Sequence, residues 1–199
     1  MTLSHKKIDR RIIRSKEALK QAFMQLMSQK RFAAISITEI VELANYNRGT
    51  FYSHFESKDA LLDEIMSDLI EDLLRSFRAP YEKIDVFRIN ELPAASIMIF
   101  DHIYDHASIY TILLKSDVLS LVRDKMFEAL KNIATEELEH TDSDINQELM
   151  TIYSMSALLG LVFYWIENGF VYSPSYMQEQ LVKMLQWRPT SAKTIKKHP

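Results

Sequence analysis

The chain has 199 residues, 47% of them hydrophobic and 26% charged, with a net charge of −3, the composition of an ordinary globular protein. Three glycines and five prolines are too few for glycine-cradled phosphate loops or a turn-dense all-β fold, and Gly49, Gly160 and Gly169 are too scattered for a G-x-G-x-x-G or P-loop pattern. The absence of cysteine removes disulfides, thiolate metal sites and cysteine nucleophiles.

In chain order, the opening MTLSHKKIDRR has no apolar leader segment, which predicts a cytoplasmic protein. Over residues 9–29, Ile12, Leu19, Phe23 and Leu26 recur at helical spacing, with Arg10, Arg11, Arg14, Lys16 and Lys20 on the polar face. Ser36-Ile37-Thr38-Glu39 is a capping box, in which the serine hydroxyl and the glutamate satisfy each other's backbone amides. It opens a short helix to residue 44, burying Ile37, Ile40, Val41 and Ala44. Asn45-Tyr46-Asn47 breaks it, and Asn47 is a good N-cap for a two-turn helix over 48–54. A long helix starts near Lys58 and carries Leu62, Ile65, Met66, Leu69 and Leu73 in register to about residue 77.

Pro80 punctuates the chain there, and 81–92 fits no clear pattern. Pro93 can stand at the first position of a helix running to 106. A short helix over 109–114 follows. Asp117 then opens a strong period through Val118, Leu121, Val122, Ala129, Leu130 and Ile133. Ser143 opens a helix over 143–168, stopped by Gly169, and 174–187 forms the last. Nothing alternates with period two for long, so the expected fold is all-α with about nine helices.

Charge is divided along this order. Residues 1–58 carry 11 basic against 5 acidic residues, a net +6; residues 59–187 carry 9 against 22, a net −13; and 188–199, with four basic residues, read as a flexible tail. A small basic head on an acidic body points to a polyanion as the partner of the head, although charge alone also fits an unevenly charged solvated surface. The expected domains are therefore 1–58, 59–187 and the tail.

One segment raises the question of a membrane. Leu149 to Ile166 contains no charged residue over 18 positions, enough for a short span. Its flanks are Glu148 and Glu167, without the Lys/Arg cluster that orients a span. Such a helix must be buried on most sides; the expectation is burial against its own domain on one face and a second subunit on the other.

Two short helices joined by a three-residue turn and preceded by a basic amphipathic helix suggest a helix-turn-helix. The second of them is small enough to enter a major groove ~12 Å wide. The run from Ser36 to Ala44, followed by Arg48-Gly49-Thr50-Phe51-Tyr52-Ser53-His54-Phe55-Glu56-Ser57-Lys58-Asp59-Ala60-Leu61-Leu62, resembles the DNA-binding signature of TetR-type transcriptional regulators. Every fixed position from Gly49 to Leu61 agrees. The chain departs at Asn45, Tyr46 and Asn47, where the family usually has Gly, Val and Ser or Thr; Asn tolerates the left-handed turn that Gly supplies. The stretch Trp165-Ile166-Glu167-Asn168-Gly169-Phe170, with Ser173-Pro174 and Met177, is similar, less specifically, to a C-terminal subtype common in Firmicutes-type members.

The resemblance implies a homodimeric, sequence-specific DNA-binding regulator, a repressor released from a palindromic operator by a small-molecule effector. By it, Arg48 and Thr50 read base edges, Tyr52 and His54 donate to phosphates, Lys58 anchors phosphate at a helix N-terminus, Ser36 and Thr38 approach the backbone, and Asn47 and Gly49 allow the close fit. The alternative for Tyr52 is an aromatic lid on the core, and the role of Tyr46 stays open. Phe51 and Phe55 read as core residues seating the recognition helix. Dimerisation is expected through helices 143–168 and 174–187. An effector pocket is expected from Met98, Phe100, Tyr104, Phe127, Tyr153, Tyr164 and Trp165, residues that read equally well as core.

His102 and His106, four apart beside Asp101 and Asp105, have chelating spacing but no identifiable third ligand, so no metal is expected. No cofactor motif is present, and no H-E-x-x-H or G-x-S-x-G pattern supports catalysis. A helical partner-binding scaffold with a repurposed helix-turn-helix, and a small helical enzyme, are the competing classes; neither accounts for the contiguous match from Gly49 to Leu61.

Overall fold

A computed structural model of the chain describes residues 10–84, 88, 91–138 and 144–187. Among these residues it has nine α-helices and no strand: α1 Arg10–Met27, α2 Ile37–Leu43, α3 Arg48–Tyr52, α4 Lys58–Arg78, α5 Ile99–Asp105, α6 Ala107–Lys115, α7 Leu119–Glu137, α8 Gln147–Glu167 and α9 Pro174–Gln186. The expected tail over 188–199 lies outside the described residues.

The first three helices form the head, and α4 runs on from it into the body without a break. α1 buries Leu19, Ala22, Phe23, Leu26 and Met27 along one stripe, packed on α2. The capping box is present in full: Glu39 N donates to Ser36 Oγ, and Ser36 N donates to Glu39 Oε2 at 3.0 Å. α2 closes with Asn45 in the left-handed region (φ 57), Tyr46 N donating to Val41 O and Asn45 N to Glu42 O. This paired closure is the Schellman arrangement, with asparagine where glycine is usual.

In the body α8 packs on α6 and α7, α4 packs on α5 and α7, and α9 covers α5. The centre of the body holds Phe100, Ile103, Tyr110, Leu130, Val162 and Trp165, all fully buried. Trp165 Nε1 donates to Tyr172 O at 3.0 Å. α8 ends as α2 does, with Gly169 at φ 68, Phe170 N donating to Trp165 O and Gly169 N to Ile166 O.

Several boundaries differ from the periodicity reading. Asp144 and Ile145 lie in a bend, and α8 starts only at Gln147 because the Asn146 side chain accepts from Leu149 N and nucleates the first turn. Pro93 starts a 3-10 turn, Ala94–Ser96, instead of a helix; the chain leaves it at Ile97 and winds again from Ile99. α3 stops at Tyr52, two residues early, with Ser53 as its C-cap.

α8 is long and apolar enough to cross a membrane by length and composition. One side of it is buried, by Thr151, Met155, Leu158, Leu159, Val162, Trp165 and Ile166. The other exposes Leu149, Ile152, Tyr153, Ser156, Ala157, Gly160 and Tyr164. A Cβ on Gly160 would meet nothing within 4 Å.

Candidate nucleic-acid interface

The head displays α3 on its surface. Phe51 (0% exposed) and Phe55 (3%), 5.7 Å apart between ring centres, are its anchors in the buried core. Because one face is anchored, the opposite face must point outward: Arg48, Gly49 and Tyr52 are exposed, and Thr50 is partly so. Asn47 caps the helix, its Oδ1 accepting from Thr50 N at 2.9 Å and from Thr50 Oγ1 at 3.3 Å. A Cβ at position 49 would sit 3.1 Å from that same oxygen. Glycine therefore has a local reason here, besides any approach to DNA: a side chain would press on the cap. Arg48 makes no hydrogen bond or ion pair among the described residues, and its guanidinium is available. Tyr52 is half exposed, its ring edge-on to Phe51 at 5.6 Å; it is lid and surface group at once.

His54 is tied to the fold. Its Nε2 lies 2.7 Å from Ser15 Oγ on α1. The Ser15 hydroxyl donates to Arg11 O at 2.9 Å or Ile12 O at 3.1 Å, so the consistent tautomer has His54 Nε2–H donating to Ser15 and Nδ1 left over. The imidazole thus latches the end of the α3 segment to α1.

Lys58 departs furthest from expectation. In place of a phosphate, its Nζ donates to Phe32 O at 2.9 Å, Ala33 O at 3.2 Å and Ile35 O at 2.9 Å. It also lies 4.6 Å above the Phe32 ring. An ammonium has three hydrogens; all are engaged inside the head, holding the turn between α1 and α2. The residue just inside α4 is a staple of the fold.

The basic surface is also narrower than the sequence suggests. Lys16 pairs with Glu64 at 2.7 Å, Lys20 with Glu64 at 2.7 Å and Asp68 at 2.6 Å, and Lys30 with Glu39. Burial pushes the Glu64 carboxyl up, and Lys16 and Lys20 more than reverse it, leaving it below the usual carboxylate range. Two of the five basic residues of α1 thus fasten α1 to α4, while Arg10, Arg11 and Arg14 stay exposed. Ser36 is engaged in its capping box and Thr38 is exposed.

The expected aromatic pocket does not form. Phe100 and Trp165 are core, in edge contact at 5.7 Å, with Tyr104 stacked on Trp165 at 6.1 Å. Tyr153 (72% exposed) and Tyr164 (53%) point away on the open side of α8. Phe127 packs against the core from its edge. Met98 instead lines an open cleft of about 380 Å³ between α4 and α5, with Asp72, Arg75, Asp101, His102 and Asp105. His102 Nε2 lies 3.0 Å from Tyr110 Oη, and His106 Nδ1 lies 3.0 Å from His102 O. Burial, helped by the neighbouring His106, pushes the His102 imidazole down to about 4, and burial pushes the Tyr110 hydroxyl well up. Among the described residues no group of three or more His, Asp or Glu is placed to hold a metal ion. Ser15, Glu64 and Asp117 (below) matter to the head and were missed; each acts through a partner 39 to 85 positions away, or from a polar face that reads as mere solvation.

A small helix anchored by two phenylalanines, open on its far side and braced by two others, defines a helix-turn-helix head of the DNA-reading kind on an all-helical body. Comparison with known proteins agrees. Residues 19–65 match the family model described as bacterial regulatory proteins, tetR family, and residues 90–186 match one described as transcriptional regulator C-terminal region. The chain belongs to the TetR family of bacterial transcriptional regulators. It is 27% identical over 184 residues to the uncharacterized HTH-type transcriptional regulator YxbF of Bacillus subtilis (strain 168), a match covering 90% of this chain and 47% of that protein; the chain thus spans about half the length of this relative. Over 53 residues it is 30% identical to the HTH-type transcriptional repressor KstR2 of Rhodococcus jostii (strain RHA1), covering 27% of this chain and 26% of KstR2. A solved TetR transcriptional regulator from Streptococcus agalactiae 2603V superposes with a TM-score of 0.59 at 25% identity, over 89% of this chain and 96% of that one.

Proposed function

We propose that the protein is a cytoplasmic, homodimeric regulator that reads a palindromic operator through α3 and leaves it when a small molecule binds the body. The observation that carries this reading is the display of Arg48 and Thr50 on a helix whose other face is locked in the core by Phe51, with Phe55 just beyond its end. Arg48 reaches guanine O6 and N7, the commonest specific contact in a major groove, and Thr50 a thymine methyl or a phosphate. Tyr52 and the exposed α1 arginines meet phosphates; Ser36, Thr38, Asn47 and Gly49 shape the approach.

The open side of α8, with Leu149, Ile152 and Tyr153, and the exposed Met184 and Leu185 of α9 support a second copy as the partner of these helices, in a four-helix bundle. The small residues Ser156, Ala157 and Gly160 at the middle of that side let two backbones cross closely. In such a dimer α8 lies between protein layers, and no membrane role is assigned to it. The cleft between α4 and α5 is the better candidate for an effector than the aromatic cluster, because α4 is shared by cleft and head. A ligand there acts only if it prefers the state that does not bind DNA. Repression is the polarity named for KstR2, and it is the one proposed here; no catalytic role is assigned.

The test is selection from random-sequence duplexes with the full chain. The expected winner is an inverted repeat with half-sites about 34 Å apart, roughly one helical turn, bound by a dimer in sedimentation. Leu149→Asp should give monomers and lose the paired site. No enriched sequence, or binding by a monomer, would refute the proposal.

A further inference from the structure

The turn between α1 and α2 is held from both ends by groups outside it. Its 3-10 segment, Phe32–Ala34, has no local N-cap: Arg31 supplies no capping side chain. The first amides of such a segment need an acceptor. They find one 85 positions away in the chain. Asp117 Oδ1 accepts from Phe32 N at 2.7 Å and Oδ2 from Ala33 N at 3.3 Å, with Arg31 Nε 3.6 Å from Oδ2. At the other end Lys58 takes the carbonyls. An anion on the amide end and a cation on the carbonyl end match the segment's dipole.

Asp117 belongs to the body. It stands in the short link between α6 and α7, three positions after the buried Leu114 and just before the buried Val118, and only 18% of its side chain is exposed. Burial pushes its carboxyl up, but the amides of Phe32 and Ala33, with Arg31, outweigh that and hold it below the usual range. The turn it grips leads straight into α2, which braces α3.

We infer that Asp117 is a positioning residue for DNA recognition: its carboxylate, capping the α1–α2 turn from the body, sets the angle at which the head is held. A shift of α6 or α7 is passed to the head through these two hydrogen bonds, alongside the continuous α4. The inference rests on the dimeric reading above, because head angle matters when two heads must match one operator.

The experiment uses the full chain with Asp117→Ala and Asp117→Asn. Amide exchange by NMR is read at Phe32 and Ala33, and binding is titrated on the operator selected by the unaltered chain and on the same operator with one base pair added between half-sites. In Asp117→Ala both amides should lose protection, operator affinity should fall by about tenfold, a typical coupling between sites, and the preference for correct spacing should shrink. The salt slope should stay unchanged, since no phosphate contact is lost. Asp117→Asn, which keeps one acceptor oxygen, should retain protection at Phe32 and recover part of the spacing preference. Protected amides in Asp117→Ala would overturn the inference, as would lost protection with unaltered spacing preference. Equal losses on both operators in step with a lower melting temperature would also overturn it, by making Asp117 a stability residue only. Should the unaltered chain select no paired site, the dimeric reading fails, while the exchange data still report on the cap.

Discussion

Replacing Lys58 by methionine separates a staple from a phosphate anchor. Methionine keeps an aliphatic stem over the Phe32 ring but removes three donors to the carbonyls of Phe32, Ala33 and Ile35. Phe32 O retains Ile35 N as a donor at 3.1 Å, so the loss falls mainly on the other two oxygens. A hydrogen bond from a charged donor is worth about 1.5–3 kcal/mol when shielded and less in contact with water. Lys58 is only partly buried, so the three together come to roughly 2–3 kcal/mol. For a chain of this length that corresponds to a melting temperature lower by about 5–10 °C. The assay is thermal unfolding by far-UV circular dichroism, paired with DNA titrations at several salt concentrations. Lys58→Met should melt early and keep the salt slope of the unaltered protein. An unchanged melting temperature with a slope reduced by about 0.9, the signature of one lost phosphate contact, would refute the staple and restore the anchor.

Arg48→Ala, on an exposed position, should leave melting unchanged, weaken operator binding by about 1–3 kcal/mol and relax preference at one base pair; a uniform loss over all sequences would make Arg48 a phosphate contact instead. Ser15→Ala should cost about 1 kcal/mol, since His54 Nε2 loses its partner, and should shift the imidazole NMR signals of His54; unshifted signals would count against the latch. The His102 imidazole falls from an ordinary 6.5 to about 4. The unfolded chain therefore binds the extra proton first, and this group's stabilisation is full above pH 6.5 and lost progressively as pH falls toward 4. The groups facing it are Tyr110, His106, Asp105 and Arg75. His102→Gln, able to keep a bond to Tyr110, should flatten that part of the stability–pH curve by on the order of 2 kcal/mol; a curve of identical slope between pH 6.5 and 4 would show that the imidazole is not buried neutral.

What could be read directly from the sequence was whatever a residue settles with neighbours a turn or two away. The Ser36–Glu39 capping box, the Asn47 cap, the left-handed Asn45 and the stripes Leu19–Phe23–Leu26 and Leu62–Ile65–Leu69 are all of this kind, because capping and helical period are set by backbone geometry within one or two turns. The outward side of α3 followed as well, since the buried Phe51 and Phe55 fix which side is left over. The fates of long polar side chains could not follow. Lys16, Lys20 and Lys58 look alike in a sequence, as flexible cations on a polar face, yet two pair with α4 carboxylates and one grips a backbone turn. Asp117 looked like an ordinary helix start and became the cap of a turn 84 and 85 positions away. Tyr153 and Trp165, twelve positions apart on α8, looked equally suited to a pocket, and packing sent one outward and buried the other. Each of these outcomes depends on which helices are brought together in space, and only the assembled fold supplies the partner that decides where a charge or a ring comes to rest.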